Sequence, residues 1–167
     1  MDPVVEHSMS HNLFLVVLSY MIAAVSAYAA IELARRVNST NRTAQNMWIL
    51  AGGATLGLGI WAMHFIAMLA HEGLRPVTYS MPLVFLSVVI AMAGCILGFL
   101  IVSRHTTRPA LIGAGLLMGI SIASMHYVGM AAIQGVTITY HTGLALLSLA
   151  IAITASLGAL WIGFFSK

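Results

Sequence analysis

Residues 47–70 read MWILAGGATLGLGIWAMHFIAMLA, an unbroken apolar stretch whose one ionisable side chain is His64. About 20 such residues cross the hydrocarbon core of a bilayer as a helix, so this stretch predicts a transmembrane helix with an imidazole inside it. Four more runs of the same kind lie at approximately 12–34, 82–102, 110–133 and 143–165. The chain as a whole is 60% hydrophobic and 7% charged, with a mean hydropathy of +1.00. The runs are rich in Leu, Ile, Ala, Gly and Met and lack the apolar/polar alternation of barrel strands. The expected fold is all-α, a polytopic membrane bundle of five transmembrane helices embedded in lipid.

The cations set an expected orientation, because Lys and Arg in short loops stay on the cytoplasmic side. Arg35, Arg36 and Arg42 share the first loop, Arg104 and Arg108 share the third, and Lys167 closes the chain on the same side. Arg75, Asp2, Glu6 and Glu72 fall opposite. The N-terminus is thus placed outside and the C-terminus inside. A net charge of +3 then marks topology and gives no reason to expect a nucleic-acid partner. The acidic, polar first ten residues do not resemble a signal peptide, so the first run is expected to be retained as a helix. Cys95 stands alone in the third run and is read as packing.

The stretch also repeats. Met63-His64-Phe65-Ile66-Ala67-Met68 returns sixty-two residues later as Met125-His126-Tyr127-Val128-Gly129-Met130, and Gly53/Gly57 return at that offset as Gly115/Gly119. Small residues at i and i+4 allow helix backbones to approach closely. The odd-numbered helices share a different signature: His11, Leu15, Leu18 and Ser19 match Tyr79, Leu83, Leu86 and Ser87, then Tyr140, Leu144, Leu147 and Ser148. One descending and one ascending helix form the unit, giving repeat one at about 11–71, repeat two at about 79–133 and a half repeat at about 140–166. Equivalent helices run the same way, so the repeats are parallel. Pro82 and Pro109 sit where prolines start helices, beside Ser80, Thr106 and Thr107 as capping residues.

An ionisable residue inside a membrane span is costly and marks a functional site by default. His64 and His126 are therefore the leading candidates. Helical spacing puts His64, Met68 and His71 on one face at i, i+4 and i+7, and His126 and Met130 repeat the first pair. Met63 and Met125 lie a quarter turn away and are weaker candidates for the same shell. Imidazole with thioether suits copper, Cu(I) above all, whereas magnesium, calcium and manganese prefer oxygen. A monovalent ion is also easier than a divalent one to hold with neutral ligands in a low dielectric. Histidines concentrate on the expected outer side, where His11, His71 and His141, taken singly, read as interfacial residues and, taken together with Tyr79, Tyr127 and Tyr140, as a second shell or second metal site. Met21, Met47, Met92 and Met118 read as flexible core packing.

On these residues the chain resembles the MHYT family of bacterial integral membrane sensor domains. The match rests on both Met-His-aromatic-x-x-Met motifs, on the His/Tyr-x-x-x-Leu-x-x-Leu-Ser helix starts and on Ile31-Glu32-Leu33-Ala34-Arg35-Arg36, and it spans nearly the whole of residues 1–167. The resemblance implies a domain of the bacterial cytoplasmic (inner) membrane that binds copper, as Cu(I) or Cu(II), near the outer face. It implies sensing of a diatomic gas such as oxygen, carbon monoxide or nitric oxide, and a cytoplasmic partner domain that makes or degrades cyclic di-GMP. Two departures stand out: the usual third motif would fall beyond Lys167, and no output domain is present in this chain. Either the sequence belongs to a longer protein, or two motifs suffice, or another subunit of a homo-oligomer completes the site. Two alternatives remain at this stage, a copper-dependent membrane oxidase or monooxygenase and a bis-His haem protein.

Overall fold

The computed structural model describes residues 10–38, 41–72, 78–135 and 140–166. Asp2, Glu6, His7, Arg75 and Lys167, which carry part of the expected charge and histidine asymmetry, lie outside these residues. Among the described residues, five helices are long and apolar enough to cross a membrane: α1 Leu13–Arg35, α2 Arg42–Leu69, α3 Met81–Arg104, α4 Arg108–Ala131 and α5 Thr142–Phe164. A single 3-10 turn, Arg36–Asn38, follows α1.

Local chemistry sets the helix ends. The second helix starts at Arg42, about one turn before the apolar run, because Asn41 caps it with Oδ1 accepting from the Thr43 N–H at 2.9 Å. Thr107 caps α4 through the Ala110 N–H, directly before the first-turn Pro109, and Ser80 is the N-cap before Pro82 in α3. At the histidine end, helix is replaced by two-residue strands that the all-helical expectation did not contain. β1 (Ser10–His11) pairs antiparallel with β2 (His71–Glu72), and β3 (Thr78–Tyr79) pairs with β4 (Ile133–Gln134). Each pair is extended by one further bond, Asn12 N–H to Ala70 C=O at 2.9 Å and Ser80 N–H to Ala132 C=O at 2.8 Å. The starts of α1 and α3 are thus tied to the ends of α2 and α4. These bonds satisfy backbone groups that helix termini would otherwise leave without partners.

Between helices, glycines fix the distances. A Cβ on Gly53 would lie 2.6 Å from Ile96 Cα, and one on Gly57 would lie 2.7 Å from Met92 Cα, so α2 meets the backbone of α3. One on Gly119 would lie 2.6 Å from Ile153 Cα, and Gly115 faces Leu157, so α4 meets α5 in the same way. The interfaces within each repeat are complementary rather than identical. Gly59 of α2 receives the side chain of Ser26 in α1, while Gly94 of α3 receives that of Ser121 in α4. Gly59 and Ser121 correspond on the sixty-two-residue offset of the ascending helices, and Ser26 and Gly94 on the sixty-eight-residue offset that relates His11 to Tyr79, so the glycine and the serine have exchanged helices. A shared core of Ala30, Ile49, Leu56, Phe99, Met118 and Leu160 fills the middle of the bundle, with Cys95 fully buried in it.

Replacing Gly59 with Ser brings two side chains to one place and is expected to cost about 1–3 kcal/mol. The double variant Ser26→Gly/Gly59→Ser reproduces the α3–α4 arrangement and is expected to regain most of that loss. A double-mutant cycle on unfolding in detergent measures the coupling, and additive losses would contradict the exchange.

Candidate metal centre

His64 and His126 come from the last two turns of α2 and α4, the two ascending helices. Their neighbours in sequence place the rings. Phe65 stands edge-on to His64, with ring centroids 5.4 Å apart, and Tyr127 stands edge-on to His126 at 5.1 Å. The two imidazoles meet each other at a centroid distance of 4.7 Å and an interplanar angle of 65°. Their Nδ1 atoms are 3.3 Å apart, which as a hydrogen bond needs one ring to donate and the other to accept.

His64 is buried, and its other ring nitrogen, Nε2, has no hydrogen-bond partner. A buried polar atom without a partner is uncommon and requires an explanation. Gly129 creates the space for that ring: a Cβ there would lie 3.0 Å from Nε2 and 3.3 Å from Cδ2 of His64. The first copy has Ala67 at the matching place. Nothing in the sequence except the small size of Gly129 marked it.

Beside the pair lies a cavity of about 410 Å³ between α2, α4 and α5. Met63, His64, Met125 and His126 line its histidine end, and the small Ala152, Ala155 and Ser156 of α5 line its far wall. Met125 is fully buried. Met68 and Met130, expected to join the histidines from one helix face, are not among the residues that line this cavity. The methionines preceding each histidine share it instead.

The remaining candidates separate into two groups. Tyr127 donates to or accepts from Ser148 Oγ at 3.1 Å and packs on Tyr140 at 5.5 Å, while Tyr79 approaches Phe65 at 6.2 Å. Trp61 packs tilted on Phe65 at 4.8 Å and donates to Ser87 Oγ at 3.0 Å, so two groups of rings, Trp61/Phe65/Tyr79 and Tyr127/Tyr140, are joined through the imidazoles. His141 is the exposed N-cap residue of α5 and makes no side-chain cap bond. The backbones of His11 and His71 are paired in the β1–β2 register. Among the described residues no three His, Cys, Asp or Glu side chains come together as a metal site, so the donor set here is two imidazoles with neighbouring thioethers.

The description "Bacterial signalling protein N terminal repeat", the MHYT family model, matches residues 57–115 and 119–167. The chain belongs to the MHYT family. The two matched segments start at Gly57 and Gly119, on the same offset that relates the histidines. Signaling protein YkoW of Bacillus subtilis is 36% identical over 160 residues, covering 95% of this chain and 20% of that protein. The bifunctional diguanylate cyclase/cyclic di-GMP phosphodiesterase MucR of Pseudomonas aeruginosa is 36% identical over 157 residues, 93% of this chain and 23% of its own length. Cyclic di-GMP phosphodiesterase NbdA of the same organism is 35% identical over 162 residues, 95% of this chain and 20% of its own. The chain thus spans about a fifth of the length of these curated relatives. No solved structure matches it significantly.

Gly129→Ala is expected to press on the His64 ring and lower stability by about 1 kcal/mol, with a changed imidazole ¹⁵N shift for His64. Gly158→Ala, where a Cβ meets nothing within 4 Å, serves as the control and is expected to leave both readouts unharmed. Identical behaviour of the two variants would show that Gly129 does not shape the pair.

Proposed function

We propose that this MHYT domain binds copper at its histidine end and senses a diatomic gas (oxygen, carbon monoxide or nitric oxide) or redox state there. The carrying observation is the His64–His126 pair, with Nδ1 atoms 3.3 Å apart and Met63 and Met125 on the same cavity. Two imidazole nitrogens that share one tetrahedral ion, each about 2.0 Å from it, sit about 3.3 Å apart, so little movement is needed to turn this contact into a binding pair. Neutral nitrogen and sulfur donors without a nearby carboxylate favour Cu(I) over a divalent ion. When bound, copper would supply one-electron redox chemistry and a position open to a small gas.

The chain's own residues then do the rest. Phe65 and Tyr127 hold the imidazoles edge-on, Gly129 gives His64 room to turn, and the apolar cavity walls exclude water. A shift of the pair bears on Ile151 and Ala152 of α5, which line the same cavity. The fifth helix ends at Phe164, at the arginine end, where the positive-inside tendency puts the cytoplasm. MucR and NbdA carry cyclic di-GMP activities in their names, and a cyclic di-GMP output on that side is the natural receiver. The haem reading is less favoured, because rings in direct contact leave no plane between them for a porphyrin. An oxidase needs an acid/base pair, and the cavity offers none beyond the two imidazoles.

Anaerobic loading with Cu(I) tests the metal. The wild type is expected to retain copper and His64→Ala/His126→Ala to lose it, whereas equal retention would overturn the two-histidine site and a Soret band in the purified protein would redirect it to haem. Leu substitution of Met63 and Met125 is expected to weaken copper retention at least tenfold, while the same change at Met68 and Met130 leaves it within twofold, read by competition with a Cu(I) chelator; the reverse order would restore the i, i+4 ligand set. With copper loaded, spectra unchanged by carbon monoxide or nitric oxide would count against gas sensing.

A further inference from the structure

The opposite end of the bundle holds a second cavity, of about 540 Å³ and quite different chemistry. Arg42, Gln45 and Asn46 from the start of α2 and Ser103, Arg104 and His105 from the end of α3 line it, over a floor of buried Val37 and Ile49. Two guanidiniums and an imidazole thus converge from separate helices. Among the described residues the one ion pair is Arg35–Glu32 at 3.6 Å, on α1, so no described carboxylate balances Arg42 or Arg104. Arg42 also sits at the first turn of α2, the positive end of the helix dipole and the less favourable place for a cation. Arg104 is already oriented, with Nη2 donating to Asn46 Oδ1 at 3.1 Å.

From this convergence we propose that the cavity binds a phosphate group, the headgroup phosphate of an anionic phospholipid. Guanidinium forks match phosphate oxygens in pairs, and basic pockets between transmembrane helices take anionic headgroups. Position favours lipid over a soluble phosphate. The cavity lies at the ends of two helices long and apolar enough to span a membrane, where headgroups would meet it. This site is independent of the histidine pair and of any metal.

Thermal melting of the purified chain in dodecyl maltoside, with phosphatidylglycerol, phosphatidylcholine or inorganic phosphate added, tests the assignment. Phosphatidylglycerol is expected to raise the midpoint by several degrees in the wild type and in Arg108→Gln, which removes a charge outside the cavity. In Arg42→Gln/Arg104→Gln the rise is expected to fall by at least half, and Arg42→Lys/Arg104→Lys to keep part of it. Should the double Gln variant not fold, Arg104→Gln and His105→Gln singly are read in the same titration, each expected to weaken the response. An equal response to phosphatidylcholine, or variants responding like wild type, would overturn the site; the same rise with inorganic phosphate alone would overturn the lipid assignment in favour of a soluble phosphate compound.

Discussion

The close approach of helix backbones at glycine is the constraint on which the remaining structure depends. Within hydrocarbon, helices gain nothing by hiding apolar side chains from water, so association rests on packing contacts that fall off steeply with distance. The third helix acts as the shared spine. On one side it receives Gly53 and Gly57 of α2 against Ile96 and Met92, and on the other its Gly94 and Gly98 receive Ser121 and Met118 of α4. With both ascending helices drawn onto one descending helix, their histidine turns are brought into contact. The 3.3 Å separation of His64 and His126 is thus a consequence of close contacts about one to three turns away.

What the sequence made legible follows from what repeats and what has a period. Apolar length gives five spans, and the shared offset of the Gly-x-x-x-Gly and Met-His motifs places corresponding contacts at corresponding heights. Which thioether shares a cavity with the histidine is another matter. Helical spacing puts Met68 on the His64 face, but it does not say on which flank of that face the neighbouring helix leaves space. The cavity opens on the Met63 flank because α5, lined with Ala152, Ala155 and Ser156, stands back from α2 there. Strands β1 to β4 were equally illegible, since two residues carry no periodicity, and their pairing depends on where the helix ends are held.

The two ends of the bundle are chemically opposed. At the histidine end, Phe65 and Tyr127 flank the two imidazoles, and the described side-chain hydrogen bonds join neutral groups. At the arginine end, Arg36 lies 5.3 Å over the Trp48 ring and Arg42 and Arg104 share a polar cavity. Such a distribution is costly unless each end meets a different medium, as the two faces of a membrane provide for five spanning helices.

The repeats have drifted by compensated exchange, and that gives weight to what has not drifted. Ser26/Gly59 has become Gly94/Ser121, with the side chain moved to the other helix and the packing preserved. The equivalent Ser87 and Ser148 each bond their own i−3 carbonyl, but Ser87 is met by the indole N–H of Trp61 and Ser148 by the hydroxyl of Tyr127, from different positions of the motif. In the first copy Phe65 stands where Tyr127 is, and in the second Ala123 stands where Trp61 is, so one hydrogen-bonding partner per repeat is kept while its origin changes. Packing and hydrogen bonding can therefore be satisfied here by several residue combinations. Had the histidines served only packing, the same freedom would have let one copy solve the problem without a buried polar ring. Instead both copies keep Met-His at the same height, and the two rings meet with Nε2 of His64 left without a partner, a cost that packing alone does not explain.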